Sequence, residues 1–316
     1  MHQWNLSYER QLASDWLVSA TYIGNKSTHI WTGEDVNPGV YIPGTCAGAP
    51  CSTTGNTNQR RVLSLINPAA GTLISDIYQA DDGANAEYNG LLLKAEHRFS
   101  NHYSILANYA WAHCISEADF EGDLGGPQTQ NPFNRNGERG NCGFDLRGTF
   151  NLTFVVESPH FANLWANRLL GNWQLAPIFS IHTGTWFTVF TGLDNSLTGI
   201  NLDRPNVVGN PYTRNLSTQQ WLNPSAFVPN ALGTFGNLGS DSLLGPSFFN
   251  IDAAVSRRFY IKEKHQIELR FEFFNLTNHV NFNVPNLDAN IQDPTFGQIL
   301  GDVGPRILQF ALKYTF

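Results

Sequence analysis

Strict alternation of apolar and polar residues is the feature that most constrains how this chain can fold. In the final segment, large apolar side chains occupy every second position: Leu308, Phe310, Leu312, Tyr314 and Phe316. The residues between them are polar or small. A repeat of two residues is that of a β-strand with two different faces, and the helical repeat of 3.6 does not fit it.

The same alternation recurs along the chain and predicts about nine strands. The segment from Gln266 to Asn275 has one apolar face, with Ile267, Leu269, Phe271 and Phe273, and one polar face, with Glu268, Arg270 and Glu272. Before it, Ile251, Ala253, Val255 and Phe259 oppose Asp252, Ser256 and Arg258. The predicted strands are Gln3 to Leu12, Trp16 to Gly24, Glu87 to Phe99, Tyr103 to Cys114, Asp145 to Val156, Asn172 to Phe190, Phe248 to Ile261, Gln266 to Asn275 and Arg306 to Phe316.

The connections between these strands alternate strictly between short and long. The short ones are Ala13 to Asp15, Ser100 to His102, Glu157 to Gly171 and Lys262 to His265, and the long ones are Asn25 to Ala86, Ile115 to Phe144, Thr191 to Ser247 and Leu276 to Pro305. Compact soluble domains rarely contain such long connections. Outer-membrane barrels have short periplasmic turns and long extracellular loops. If Phe316 ends at the periplasm, every short turn lies on that side.

Composition agrees with a membrane-spanning barrel. Charged residues make up only 14% and aromatic residues 13%, while the mean hydropathy is −0.25. No run of about 18 apolar residues occurs, which excludes an ordinary transmembrane helix. We therefore predict an all-β fold: residues 1–316 form part of an antiparallel transmembrane β-barrel in the outer membrane, about nine strands of a larger barrel.

The four cysteines fall into two separate segments. Cys46 and Cys51 lie close together, and Cys114 and Cys142 flank a second Gly-rich stretch. Pairing within each segment would close two loops, as expected in an oxidising compartment. The connectivity is not fixed by the sequence, and no CxxC or nearby His pair completes a metal site.

Several motifs resemble one known family. The run from Arg270 to Phe282 (RFEFFNLTNHVNF) resembles the penultimate-strand signature of Oar-like TonB-dependent receptors, especially those common in acidobacteria. Further stretches are similar to strands of the same barrel: Phe249 to Phe259, Gly171 to Gln174 leading to His182 to Phe187, Trp4 to Arg10, and Tyr88 to Lys94.

The resemblance implies an outer-membrane receptor and transporter, energised through TonB in the full-length protein, for a ligand it does not identify. It also implies a signal peptide, a plug domain and further strands N-terminal to this chain. The expected partners are outer-membrane lipid, the barrel-insertion machinery, the TonB system and an extracellular ligand. We expect the largest loops, Asn25 to Ala86 and Thr191 to Ser247, to contribute most to ligand capture.

Two sets of residues stand out as membrane features. The last strand resembles the C-terminal signal that the insertion machinery recognises, and the residues that carry this resemblance are Phe310, Leu312, Tyr314 and Phe316. A set of Trp and Tyr residues is expected to form an aromatic girdle at the headgroup level. Its members are Trp4, Tyr8, Trp16, Tyr22, Tyr103, Tyr109, Trp111, Trp173 and Tyr314.

Catalytic and cofactor sites are not indicated. A polar barrel interior explains the charged residues of the strands better than a catalytic acid–base pair does. These residues are Asp252, Arg258, Glu268, Arg270, Glu272 and Lys313. Asp119, Glu121 and Asp123 resemble a solvated acidic loop more than a calcium loop. His113, His160, His182 and His279 are dispersed. The net charge of −7 and scattered basic residues argue against nucleic acid.

Two other functions remain open from the residues alone. The chain could form a small passive pore or adhesin, which requires an even number of strands and therefore a tenth strand within a long loop. It could also be a secreted β-sandwich that binds glycans, which would be soluble without detergent.

Overall fold

The computed structural model describes residues 1–118, 129–262, 265–284 and 287–316. Within them, nine long strands form one antiparallel sheet in chain order, so that each strand pairs with its neighbours in the sequence. The strands are β1 (His2–Gln11), β2 (Trp16–Asp35), β3 (Tyr78–Ser100), β4 (Tyr103–Ser116), β5 (Gly148–Glu157), β6 (Trp173–His182), β7 (Phe248–Lys262), β8 (His265–Phe274) and β9 (Ile307–Thr315). All nine predicted strands are confirmed.

The hairpin formed by β2 and β3 is longer than the sequence predicts. The expected loop from Asn25 to Ala86 is wrong at both ends, since β2 continues to Asp35 and β3 begins at Tyr78. The pairing shifts register on both sides of Ile30, and His29 has a positive φ of 60°. Such irregularities break the two-residue repeat, which is why alternation did not reveal this extension.

Strand β6 is shorter than predicted. It ends at His182 instead of Phe190. The segment Trp186–Phe187 leaves the sheet and pairs with Leu243–Leu244. The apolar residues that suggested a longer strand therefore belong to the loops.

Register shows that the sheet has one apolar and one polar face, because paired residues point to the same side. The side of Phe310, which we call the apolar face, also carries every aromatic residue of the expected girdle: Trp4, Tyr8, Trp16, Tyr22, Tyr103, Tyr109, Trp111, Trp173 and Tyr314. The opposite, polar face carries Asp252, Arg258, Glu268, Arg270, Glu272 and Lys313.

The hydrophobic core lies in the loops and not beneath the sheet. Among the described residues, the cluster of buried apolar side chains comes entirely from segments outside the nine long strands: Val189, Trp221, Leu222, Ala226, Phe227, Leu238, Leu243, Leu287, Phe296 and Ile299. The long loops that follow β6 and β8 thus pack into one folded layer at the same end of the sheet, which we call the loop layer.

Short elements organise the loops. Four two-stranded pairs join Thr45–Cys46 to Ala49–Pro50, Trp186–Phe187 to Leu243–Leu244, Asn206–Val207 to Phe227–Val228, and Tyr212–Asn215 to Gln220–Leu222, while Gly140–Asn141 pairs with β4. The α-helices are α1 (Val62–Ile66), α2 (Pro68–Gly71) and α3 (Leu164–Leu170). The 3₁₀ turns are Thr54–Asn56, Asn58–Arg60, Arg135–Glu138, Leu216–Thr218 and Pro224–Ala226. No helix among the described residues has the length and hydrophobicity to cross a membrane.

Buried polar groups connect the loops to one another. Arg204 forms a buried ion pair with Glu138. Replacing Glu138 with an apolar residue would leave the charge of Arg204 buried without a partner, which is costly. Asp203 accepts hydrogen bonds from the Ser196 amide (2.6 Å) and the Asn230 side chain (3.0 Å). Burial raises the pKa of Asp203 above its ordinary value, since the charged form loses water. These contacts join distant loop segments in one structure.

Two disulfide bonds close loops as the sequence suggested. Cys46 bonds to Cys51 and Cys114 bonds to Cys142, with sequence separations of 5 and 28 residues. The second bond ties the end of β4 to the loop that precedes β5.

We predict that the two disulfide bonds contribute unequally to stability. Loop-closure entropy assigns about 3.5 kcal/mol to the Cys114–Cys142 bond and about 2 kcal/mol to the shorter Cys46–Cys51 loop. Replacing each pair with serine and measuring the free energy of unfolding of the reconstituted protein tests this order. An equal loss for the two variants would contradict it.

The loop layer should unfold independently of the sheet. Leu222 is fully buried, whereas Leu232 in the same loop is 63% exposed. Leu222→Ala should cost the loop layer about 2–5 kcal/mol through lost packing, and Leu232→Ala should cost almost nothing. Hydrogen exchange of loop and strand amides measures this. The prediction is wrong if Leu222→Ala accelerates exchange in β4 to β8 as much as in the loops.

Candidate ligand cleft at the loop end of the sheet

A cleft of about 890 Å³ lies where the loop layer meets β6 and β7. His182, at the end of β6, and Phe248, at the start of β7, are paired in register and point to the polar face. Segment 184–190, Phe144, Phe282 and Val303 complete its walls. The cleft therefore opens on the polar side of the sheet, beneath the folded loops.

The imidazole of His182 stacks on the ring of Phe248, with centroids 4.7 Å apart and planes 6° from parallel. Its Nδ1 lies 2.7 Å from the carbonyl oxygen of Thr183. A carbonyl can only accept a hydrogen bond, so Nδ1 carries a proton and donates it. In the neutral ring, Nε2 is then left as an acceptor.

Trp186 forms another wall and is held by charged neighbours. The guanidinium of Arg147 lies 5.5 Å from the centre of its ring. Arg147 pairs with Asp145 at 3.2 Å, and the Asp145 carboxylate also accepts a hydrogen bond from the Cys114 amide at 3.2 Å. The cation that covers Trp186 is thus anchored to the disulfide-bonded end of β4.

Close backbone contacts place the aromatic segment. A Cβ atom on Gly184 would lie 2.0 Å from the carbonyl oxygen of Gly245, so only glycine permits this approach. Next to it, the Thr188 hydroxyl donates to Asp241 at 3.0 Å, and the Asp241 amide donates back to that hydroxyl at 2.8 Å. These contacts hold segment 184–190 against the chain that leads into β7.

A buried amide side chain helps to fix the loop after β8 to β7. Asn281 accepts a hydrogen bond from the Phe249 amide at 2.9 Å and donates one to the Phe249 carbonyl at 2.8 Å. This exchange imitates a strand pair and brings Phe282 to the cleft. Residues far apart in sequence thereby form one wall.

The chemistry of the cleft suits binding. Its walls are largely aromatic, with a histidine ring, a threonine hydroxyl and the carboxylate of Asp241 among them. A mainly apolar lining with a few polar groups is the usual composition of a small-molecule site. Among the described residues, no group of three or more His, Cys, Asp or Glu side chains could hold a metal ion.

The sequence-predicted features lie elsewhere. Phe310, Leu312, Tyr314 and Phe316 are exposed at the outer strand of the sheet. Four charged residues of the polar face form ion pairs along the sheet: Arg270 with Glu272 at 2.7 Å, and Arg258 with Glu268 at 3.9 Å. Asp119, Glu121 and Asp123 lie outside the described residues.

Of the four dispersed histidines, only His182 lines this cleft. Sequence reasoning considered it as a metal ligand and missed it as part of an aromatic wall. The available signal was the cluster Trp186, Phe187 and Phe190 directly after a strand. That signal does not reveal the distant partners Phe144 and Phe282.

Comparisons with known proteins agree with this architecture. A family model described as an outer membrane beta barrel domain matches residues 1–309. The outer membrane transporter YddB from Escherichia coli has a similar structure, with a TM-score of 0.53, 7% identity, and coverage of 99% of this chain and 32% of that chain. FpvA of P. aeruginosa, solved with heterologous pyoverdines, gives a TM-score of 0.46 and 11% identity over 99% of this chain and 27% of its own.

The chain thus spans about a third of the length of YddB. No curated protein matches it. At 7% identity the likeness to YddB establishes the fold alone. Because the family model covers nearly the whole chain, this protein belongs to the outer membrane β-barrel domain family and is located in the outer membrane.

Proposed function

We propose that this chain forms part of the wall and the ligand-capturing loop layer of an outer-membrane receptor and transporter. The observation that carries the proposal is the cleft between the loop layer and the polar face. In a barrel the polar face lines the interior and the long loops face the outside. A molecule held against His182 and Phe248 would therefore sit at the entrance of the barrel.

Further strands are needed to complete such a barrel. Among the described residues, β1 pairs with β2 and β9 pairs with β8, and all residues of these two edge strands are exposed. Unpaired backbone groups are very costly in hydrocarbon. We propose that additional strands, from the same polypeptide or another, cover both edges.

Energy coupling and the resemblance to Oar-like receptors also belong to the proposal. The fold likeness to YddB, itself described as an outer membrane transporter, supports transport, and we propose that TonB energises it in the full-length protein. The ligand is an unidentified small molecule. Catalysis has no part in this function.

A passive pore or adhesin is the competing function. A passive pore would leave the loop layer without a binding role and would give steady conductance across a bilayer. A glycan-binding sandwich requires two sheets packed against each other. The nine long strands among the described residues form one sheet, and the buried apolar cluster lies in the loops and not beneath that sheet.

Phe144 offers a clean test of the cleft. Phe144 lines the cleft and is 67% exposed, so removing its ring should spare the fold. Phe133 is the control, because it lies in the same loop and is 60% exposed but does not line the cleft. Phe144→Ala should weaken retention of the bound compound about ten-fold, the effect of roughly 1.5 kcal/mol of ring contact. Phe133→Ala should have no effect.

The measurement uses the full-length protein, incubated with concentrated medium from its native culture. Mass spectrometry identifies the compounds that co-purify with the protein and quantifies them for each variant. Uptake of the identified compound by cells, with and without the proton-motive force, follows. Equal retention by the two variants would remove the cleft from the proposal, and uptake that ignores the proton-motive force would favour the passive pore.

The C-terminal residue is expected to act in assembly. Phe316→Ser removes the terminal ring and should lower the amount of folded protein in the outer-membrane fraction, while Phe316→Tyr should preserve it. The heat-induced shift in gel mobility distinguishes folded from unfolded protein. If the serine variant assembled as well as the tyrosine variant, the proposed insertion signal would be wrong.

A further inference from the structure

An arginine lies on the lipid-facing surface of the wall near the short-turn end. Arg257 in β7 pairs with Trp173 in β6 and with Leu269 in β8, and both partners belong to the apolar face. Its neighbours on that face of β7 are Val255 and Phe259. A charged side chain in such surroundings is costly and marks a functional site.

The guanidinium of Arg257 is held in place but is not neutralised. It lies 5.1 Å from the ring centre of Trp173 and 4.6 Å from that of Phe259. One of its terminal nitrogens donates to the backbone carbonyl of Arg168. Its Nε is buried and has no hydrogen-bond partner among the described residues. None of these contacts supplies a negative charge.

Helix α3 completes the surroundings of Arg257. Asn163 caps the helix by accepting hydrogen bonds from the amides of Trp165 (2.9 Å) and Ala166 (3.1 Å). The indole of Trp173 donates to the carbonyl of Leu169 at 3.0 Å. Since Trp173 and Arg257 both point to the lipid side, these contacts place the helix on the outer surface of the wall.

The exposed surface of α3 is apolar with one cation. Leu164, Trp165, Leu169 and Leu170 are each more than half exposed. Arg168 is also exposed, and its guanidinium lies 5.5 Å from the ring of Trp165. Apolar side chains beside basic groups are typical of helices that lie in the headgroup region of a bilayer.

We propose that Arg257 and Arg168 form a binding site for the phosphate of a phospholipid headgroup in the periplasmic leaflet. The two guanidinium groups supply the positive charge and the fork of donors that a phosphate requires. The exposed leucines and Trp165 of α3 contact the acyl chains. The site is continuous with the lipid-facing wall and depends only on the location in the membrane, not on the transport function.

The test reconstitutes the full-length protein and its variants into nanodiscs of phosphatidylethanolamine with a minor share of phosphatidylglycerol, and compares the phospholipid that each retains. After mild detergent extraction, native mass spectrometry counts the phospholipids that remain bound. Each lost guanidinium should weaken retention about five-fold, so that Arg168→Gln combined with Arg257→Gln gives a loss of about 25-fold. Arg258→Gln is the matched control, because Arg258 is adjacent but points to the polar face.

Undiminished retention by the double variant, or an equal loss in Arg258→Gln, overturns the proposal. If the double variant does not assemble, Arg168→Gln alone decides, since this exposed side chain can change without disturbing the wall. Inorganic phosphate added to the extracted protein is the second arm. Displacement of the bound lipid by free phosphate would show an anion site without lipid specificity and would also overturn the proposal.

Discussion

Every backbone amide and carbonyl of the wall must find its partner within the sheet, because hydrocarbon offers none. Each unpaired group would cost several kcal/mol. Strands β2 to β8 meet this condition by pairing on both sides. Continuous pairing in turn fixes the register, and the register sends alternate side chains to lipid and to the interior. The aromatic residues of the apolar face and the ion pairs of the polar face are both consequences of that one requirement.

A wall one layer thick has no room for a core, so the loops must provide their own. Leu222 and Ile299 are fully buried although neither belongs to a long strand. The buried pair of Arg204 and Glu138 and the Cys114–Cys142 bond tie the remaining loop segments to this core. A packed loop layer can hold Phe144 and Trp186 at fixed positions over the interior, which a set of mobile loops could not do.

The sequence predicts the wall well because period-two alternation is a local signal. It fails where local order breaks, as at the bulges around Ile30, and where pairing is made by loops, as at Trp186–Phe187. The cleft is invisible in the sequence, since Phe144, His182 and Phe282 meet only through long-range packing. Arg257 was predictable: it occupies the one position between Val255 and Phe259 that alternation assigns to the apolar face.

Strand β7 shows how the membrane fits this structure. Phe248 begins the strand beside the cleft, and Arg257 lies nine residues further along, five residues before the strand ends at Lys262. At about 3.4 Å per residue these positions are about 30 Å apart along the strand, or about 23 Å along the membrane normal at the usual tilt of a barrel strand. The apolar band of such barrels is about 25 Å tall. Measured from the cleft, the guanidinium of Arg257 therefore lies close to the headgroup level of the periplasmic leaflet, where a phosphate can neutralise it without breaking any backbone pairing.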